Sequence, residues 1–545
     1  MKYIKEPIRA FIICLTLLVS QSYAQTQTDT GKENEAFRRL EAGMEAGQYE
    51  VSAYNTACYF ALGGKPGMAF TCLRQAIGEG FSDLGTLETD TDLSSLHNDP
   101  RWPGIVKGVK NNQTWGQDLF FNKNTFWDSK TFRTPYQQNI SENEKIAGLS
   151  KFWSEVKYNF VNFDLVPAIN FDSLYFAYLP KIRQSGSTME YYMLLEELTA
   201  QLNDAHTNIN FPRELTDSIY TRPLIRTRLV EDKVLIVDIY DPALRQKGIA
   251  IGQEVIQVNG MPVKDYAAKY IIPHQSSSTQ QDRMVRAYDY ALFRGSLTQP
   301  IKLQLRDASN KLSEHTLYRA KPQERSQKIQ TRTFEYRMLP GNIAYVALNT
   351  FGNDSTAIQF AARFEEISKA KAIIFDVRNN GGGSTNPGWD ILSYLIEKPT
   401  EVHQAYTRDY QPTRRAWGIK QKVTVSRSSI FPKRKFLYTK PVVILTSART
   451  FSAAEDFAAA FKTMNRGIIL GEATGGSSGQ PLFITLPGNG SARICTKRDK
   501  LGNGEDFVGK GIQPDKIVTP TIHDIRKGID TELEAAIKEL QKTGK

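Results

Sequence analysis

From about residue 330 onward, short apolar runs alternate with amphipathic stretches. Residues 343–348, 372–378, 442–446 and 467–470 are continuous apolar runs of strand length, while segments near 356–368 and 387–396 and the Ala-rich stretch after Ser452 carry helical spacing. That alternation predicts an α/β core over 330–545. Upstream, residues 223–322 read as short strands, with Val234 to Ile239 followed by a run from Gly248 through Gly252 to Asn259-Gly260. Before these, Leu149, Phe152, Trp153, Val156 and Phe160 form one helical stripe, and Leu194, Leu195, Leu198 and Leu202 form another that ends in a loop carrying His206. Residues 111–140 are polar and turn-rich and read as a linker, the first part of a 111–222 region that is otherwise helical. Residues 401–438, rich in Arg, Lys and aromatics, form a long excursion placed to act as a lid over a cleft.

The chain begins with Lys2, Lys5 and Arg9, then the apolar run Ala10 to Val19, then Ser22-Tyr23-Ala24 before Gln25. By charge, length and small-residue exit, residues 1–24 read as a secretory signal peptide. Cys14 lies inside the apolar stretch, not at its end, which speaks against a lipoprotein site. No other apolar run approaches the roughly 18 residues a membrane span needs. The expectation is an exported protein, periplasmic or extracellular, with no transmembrane anchor after removal of the leader. In residues 25–110, Ala57, Phe60, Ala69, Leu73 and Ala76 flank the turn Gly63-Gly64-Lys65-Pro66 with the small-and-large spacing of a tetratricopeptide helix pair. A generic helical hairpin is the competing reading. One repeat does not make a solenoid, so this segment is expected to pack on a neighbour or recruit a protein partner.

The formal charge of +11 falls to +9 once the leader is excluded, and the basic residues are spread along the chain apart from one cluster between Arg408 and Lys435. A generally cationic surface fits this better than a nucleic-acid groove. Weak affinity for acidic peptides or an anionic membrane face is consistent with it. Cys58, Cys72 and Cys495 are too few for a disulfide scaffold; Cys58 and Cys72 fall on consecutive predicted helices, where pairing and ordinary core packing compete. No Cys/His cluster has zinc spacing, so no catalytic metal and no cofactor is expected.

Candidate chemistry lies in three blocks. Ser452 follows the 442–446 run and opens the Ala-rich helix, so its hydroxyl faces a helix N-terminus whose free N–H groups favour an oxyanion. Ser452 and Glu455 also spell a Ser-x-x-Glu capping box, which ties off a helix without any catalytic role. The 372–378 run stops in Asn379-Asn380-Gly381-Gly382-Gly383-Ser384, where glycines let backbone amides approach a ligand; no Gly-Lys-Ser/Thr follows, so a phosphate loop fails its own pattern. Leu202-Asn203-Asp204-Ala205-His206-Thr207 supplies an imidazole, and a lone histidine is more often structural than catalytic.

Together these blocks resemble the S41 serine peptidases, the family of the C-terminal processing proteases, the tricorn core protease and the repeats of interphotoreceptor retinoid-binding protein. The resemblance rests on Leu-x-Asp-x-His-Thr at 202–207, Asp376-x-Arg378-x-Asn380-x-Gly382-Gly383, Phe451-Ser452-Ala-x-Glu455 and Gly511-Ile-x-Pro514-Asp515. It implies a crotonase-like ββα protease core, with Ser452 as nucleophile, the N–H groups of Gly382 and Ala453 as oxyanion hole and, as in the tricorn-like branch, His206 as general base. The processing-protease branch carries a lysine in Gly-Glu-x-Thr-x-Gly-Lys; here Gly471-Glu472-Ala-Thr474-Gly-Gly476 runs into Ser477, and Lys462 lies well along the helix, so a lysine dyad is not expected. The serine that precedes the histidine in the tricorn pattern is Ala205 here. Glu505 and Asp506 are the candidates for the late acid that orients His206, with an exposed hairpin charge as the alternative for each. Residues 223–322, with Gly248 to Gly260, are similar to PDZ domains, which implies a polypeptide partner read through its C-terminus. The expected activity is a serine endopeptidase acting through a Ser452 acyl-enzyme; a non-proteolytic ligand- or peptide-binding protein, or an interaction scaffold on the same fold, is the rival. A pH profile rising near 6–7 is expected for a histidine base.

Overall fold

The computed structural model describes residues 52–118, 126, 128–329, 332–433 and 437–543, so the predicted leader lies outside the described residues. Two compact units divide at Trp127. In the first, helices α1 (Ala53–Leu62) and α2 (Pro66–Gly78) pack as a hairpin, and α3 spans Trp102–Asp118. Ser52 caps α1 through the Asn55 N–H, and Pro66 opens α2, where a missing N–H costs nothing. Ala57, Phe60, Ala69, Leu73 and Ala76 are all buried between them. Cys58 and Cys72 are unpaired, and the Cys58 thiol donates to Asp90 Oδ2 (3.5 Å). The linker expected from residue 111 starts later: α3 runs to Asp118, because Ile105 and Val109 bury one face of it and carry the polar remainder along.

The second unit opens with α4 (Glu142–Asn159), α5 (Phe171–Gln184) and α6 (Thr188–Ala200). Helix α4 starts on a complete capping box between Ser141 and Glu144. Leu149, Phe152, Val156 and Phe160 are fully buried, against Tyr191, Leu195 and Leu198 of α6. Gly148 is required there, since a Cβ would sit 2.0 Å from the Tyr191 hydroxyl. After α6 the chain turns into the His206 loop.

An antiparallel sheet follows, of β1 (Ile225–Val230), β2 (Lys233–Ile239), β3 (Glu254–Val258), β4 (Ile301–Arg306) and β5 (Leu312–Leu317), in the order 1-2-3-4-5. The core then carries β6 (Phe334–Leu339), β7 (Ile343–Leu348), α7 (Ser355–Ile367), β8 (Ala372–Asp376), the long hairpin β9 (Thr400–Asp409) and β10 (Lys422–Ile430), β11 (Val442–Thr446), α8 (Ala453–Met464) and β12 (Ile468–Gly471). Strands β13 (Pro481–Leu486), β14 (Gly490–Cys495), β15 (Lys497–Leu501) and β16 (Lys516–Ile517), then helix α9 (Thr531–Thr543), complete it.

The central sheet has the order 16-12-11-8-7-6, parallel throughout except β6 against β7. Its four inner strands are buried on both faces, which is why they read as unbroken apolar runs. Val346, Phe375, Ile444 and Ile469 face α7 and α8; Ile374, Val443 and Leu470 face Leu533, Ala536 and Leu540 of α9. The Asp376-x-Arg378 pair of the sequence motif ties these layers together. Arg378, at the end of β8, grips Asp376 (2.6 Å), Asp530 (2.6 Å) and Glu532 (3.3 Å), and Asp376 and Glu532 are themselves buried. Arg378→Met should therefore leave two buried carboxylates without a counter-ion and cost about 3–5 kcal/mol. Urea unfolding followed by far-UV circular dichroism measures this, and a loss below about 1 kcal/mol would show that the cluster is screened by solvent.

Candidate active site

Residues 446–452 leave the end of β11 in a tight turn before α8. Ser452 sits in it with φ +57° and ψ −127°, a region that side chains with a Cβ rarely occupy. This strain throws the hydroxyl away from the helix axis, so Oγ does not cap α8. It lies 3.0 Å from His206 Nε2. The other imidazole nitrogen, Nδ1, lies 2.8 Å from Ser477 Oγ. For Nε2 to accept the Ser452 proton, Nδ1 must carry the hydrogen and donate it to Ser477.

Three devices hold the imidazole. The His206 N–H donates to Asp204 Oδ1 (2.9 Å), and Asp204 in turn accepts from Asn162 Nδ2 (2.8 Å). The ring stacks on Phe451, with centroids 4.9 Å apart and planes 9° from parallel. The loop itself is pinned by the antiparallel-sheet domain: Ser278 Oγ accepts from the Ala205 N–H (3.1 Å), and Arg283 Nη2 donates to Asn203 Oδ1 (2.6 Å). The same segment holds the Ser477 loop, through Thr279 Oγ1 to Gly475 O (2.7 Å) and Gln281 Nε2 to Thr474 O (3.0 Å). Gly476 is needed for that approach, because a Cβ would meet the Thr279 methyl at 2.3 Å.

His206 is 3% exposed, and burial pushes its pKa down to about 3. Arg493 and Arg286 add to the depression, while Asp499 opposes it. The imidazole is thus neutral over a wide pH range and becomes a cation only at considerable cost, which neighbouring acceptors must offset.

Glu455, the second letter of the capping box, is fully buried. Its carboxylate accepts from the N–H groups of Ser452 (3.2 Å), Gly476 (2.6 Å) and Ser477 (2.8 Å) and from Thr474 Oγ1 (2.5 Å). Burial raises its pKa to about 8 against the pull of these four donors. Glu455 therefore clamps the nucleophile turn to the 474–477 loop.

Ala453 is the first residue of α8, so its N–H is among those with no intrahelical acceptor. Gly382 lies against it: a Cβ there would come 2.7 Å from Ser452 Cβ and 3.0 Å from Ala453 N. The Gly382 N–H, however, donates to Asn380 Oδ1 (2.8 Å), while Asn380 Nδ2 holds Leu348 O (2.8 Å). Of the two N–H groups expected to face an oxyanion, that of Gly382 is therefore committed and that of Ala453 is not.

The two late acids do not reach the imidazole. Asp506 pairs with Arg498 (3.0 Å) and Lys500 (3.3 Å), which hold its pKa below the ordinary carboxylate range. The Glu505 N–H donates to Asn503 Oδ1 (3.0 Å), and its own carboxylate has no bond to His206. The place expected for an acid is taken by Ser477, because the loop after β12 passes beneath the histidine while the hairpin after β15 turns outward. In the sequence, Ser477 stands out only because it occupies the position of the processing-protease lysine. Lys462 points to Gln513 O (2.7 Å) and Asp515 (3.5 Å), far along α8.

Among the described residues, two groups can approach a cation: Cys58, Asp90 and Asp92 in the first unit, and His403, Asp456 and Asp499 in the second. In the second group Lys497 Nζ already lies 2.9 Å from Asp499 Oδ1, with His403 Nε2 at 2.8 Å on the same oxygen, so side chains of the protein already occupy that position. Neither group includes Ser452 or His206. Among the described residues no helix is long and apolar enough to cross a membrane.

Comparison with known proteins agrees with this architecture. The chain is 28% identical over 200 residues to a chloroplastic C-terminal processing peptidase of Tetradesmus obliquus, covering 36% of this chain and 38% of that protein. It is 24% identical over 291 residues to the carboxy-terminal processing protease CtpA of Bacillus subtilis, covering 52% and 54%. The chain thus spans about a third to a half of the length of such curated relatives. Among solved structures, mature CPAF complexed with lactacystin superposes with a TM-score of 0.58 at 15% identity, covering 74% of this chain and 97% of that one, which establishes a shared multidomain α/β fold. Residues 342–518 match the family described as Peptidase family S41, and Ser452, at the start of α8, lies within that stretch.

Proposed function

We propose that the chain is an exported serine endopeptidase that cleaves polypeptides through a Ser452 acyl-enzyme with His206 as general base. The observation that carries this is the 3.0 Å approach of His206 Nε2 to a serine hydroxyl held at positive φ ahead of a helix N-terminus. His206 takes the Ser452 proton as Oγ attacks the peptide carbonyl. The developing imidazolium is oriented and partly stabilised by Nδ1–H donation to Ser477, so the relay is Ser452–His206–Ser477. The Ala453 N–H donates to the oxyanion, joined by Gly382 once its bond to Asn380 opens. His206 then returns its proton to the leaving amine, and a water activated by the same imidazole resolves the ester. Export is supported by the charge and hydropathy of residues 1–24. The PDZ-like pattern of 223–322 and the five-strand sheet there support capture of substrates by their C-termini, and the tetratricopeptide-like spacing of the first unit supports a protein partner.

One observation favours the rival, a non-proteolytic binding protein or scaffold: the Gly382 N–H is committed to Asn380. A fluorophosphonate probe separates the two, since a binder leaves Ser452 unmodified.

Ser452→Ala and His206→Ala should each lower kcat for an unstructured peptide by about 10³-fold or more with the melting temperature little changed, while Lys462→Ala stays near wild type. Loss of melting temperature with retained turnover in Ser452→Ala would instead mark Ser452 as a plain helix cap. Ser477→Ala should cost up to about a hundredfold in kcat through misorientation of the ring, with Asp506→Asn and Glu505→Gln near neutral in rate. A large rate loss in Asp506→Asn at unchanged stability would return the relay to the acid.

The pH profile follows from the depressed His206 pKa. Because the folded value lies below the ordinary 6.5, the neutral base persists to lower pH, and the acid limb of kcat/KM should fall below pH 6 and not between 6 and 7. Stability moves with it. Between about pH 6.5 and 3 the unfolded chain binds the proton that the folded chain refuses, so His206 removes stability progressively as pH falls through that window. An acid limb centred above pH 6 in the free enzyme would show that water reaches the imidazole.

A further inference from the structure

The hairpin β9–β10 carries a surface that catalysis does not use. Residues 410–435 contain no Asp or Glu and eight Lys or Arg. Its base is fixed: Arg408 Nη1 donates to Phe160 O (2.8 Å), and Tyr410 stacks on Tyr158 at 5.5 Å. Beyond this anchor every residue from Gln411 to Arg427 is exposed. At the tip, Arg414, Arg415, Lys420 and Lys422 line a cavity of about 220 Å³ together with the single acid Asp409, and none of the four forms an ion pair with a described acid. Around the same tip Trp417 is 73% exposed, Ile419 46%, Val423 54% and Val425 55%.

We propose that this hairpin is a docking surface for an anionic lipid membrane. The cation-lined cavity would receive a phosphate headgroup, and Trp417 with Ile419 would enter the interfacial layer. Charge and apolarity together select this occupant. A second copy of the chain seated on the tip across a two-fold axis would bring like charges together and desolvate them. An acidic protein satisfies the cations but leaves no reason for a tryptophan and three aliphatic side chains projecting into solvent. A lipid interface accounts for both, because attraction to the surface and insertion of apolar side chains add. Strand β10 is an edge strand whose residues Lys422 to Arg427 are exposed on both faces.

The test is co-sedimentation of the full chain with vesicles of phosphatidylcholine alone or with phosphatidylglycerol added, at low and high salt. The leader segment is common to all variants, so differences report the hairpin. Binding should require phosphatidylglycerol and weaken with salt. Each of Arg414→Glu and Lys420→Glu should reduce it by about fivefold or more. Trp417→Ser should reduce it without altering salt dependence, with circular dichroism confirming that each variant is folded. Phosphatidylglycerol-dependent binding that is unchanged in all three variants overturns the proposal. Binding to polyglutamate that competes fully with vesicles and ignores Trp417→Ser assigns the surface to an acidic protein. Full displacement by millimolar inorganic phosphate assigns the cavity to a free anion. A changed KM for a soluble peptide in Arg414→Glu, with vesicle binding intact, assigns the hairpin to substrate.

Discussion

The candidate site depends on one buried carboxylate. Glu455 accepts four hydrogen bonds from residues of two separate segments, the turn at Ser452 and the loop 474–477. An isolated carboxylate at that depth would be costly, and four donors converging on it make the geometry nearly unique. Its first consequence is that the Ser452 turn keeps a positive φ that the residue would otherwise escape. Its second is that Ser477 is delivered beneath His206. The capping box that gave the bland reading of Ser452 is thus half retained: the glutamate does bond the serine N–H, while the hydroxyl is released for His206.

Around this clamp the domains divide the labour. The parallel sheet places the end of β8, carrying the glycine loop, beside the end of β11, carrying Ser452, as open α/β sheets place ligands at the carboxyl ends of their strands. The α4–α6 bundle delivers His206 from a different part of the chain. Residues 278–283, a loop and short helix of the antiparallel-sheet domain, bridge the His206 loop and the Ser477 loop and so help fix the distance between them. The low pKa of His206 follows from this enclosure: three elements exclude water from the ring, and Arg493 and Arg286 face it.

The antiparallel sheet and the hairpin β9–β10 contrast in a physical sense. The segment 278–283 is partly buried, hydrogen-bonded to both loops and sterically matched to Gly476. The hairpin is anchored at its base and solvated beyond it. At its tip four cationic side chains share one acid, Asp409, so most of that charge is left uncompensated by the fold.

The sequence by itself determined a good deal. Strands buried on both faces must be unbroken apolar runs, so the α/β core was legible in 343–348, 372–376 and 442–446, and the strand-to-helix position of Ser452 with it. The stripes of α4 and α6 and the loop holding His206 were legible for the same reason. The end of the first unit was not, since the polar residues 111–118 follow the buried face of α3 into a helix. What only the tertiary structure decided concerns partners distant in sequence. Side-chain pairing across 271 residues, as between His206 and Ser477, leaves no periodic trace in either segment. Asp506 and Glu505 satisfied every local expectation of a late acid, yet Arg498 and Lys500 hold one and solvent the other. The Gly382 loop was read correctly as a place of close backbone approach, but which acceptor its N–H would choose depended on where the Asn380 side chain could reach. Composition and spacing fix which residues are available; the direction in which each polar group spends its hydrogen bond is settled only when the chain is folded.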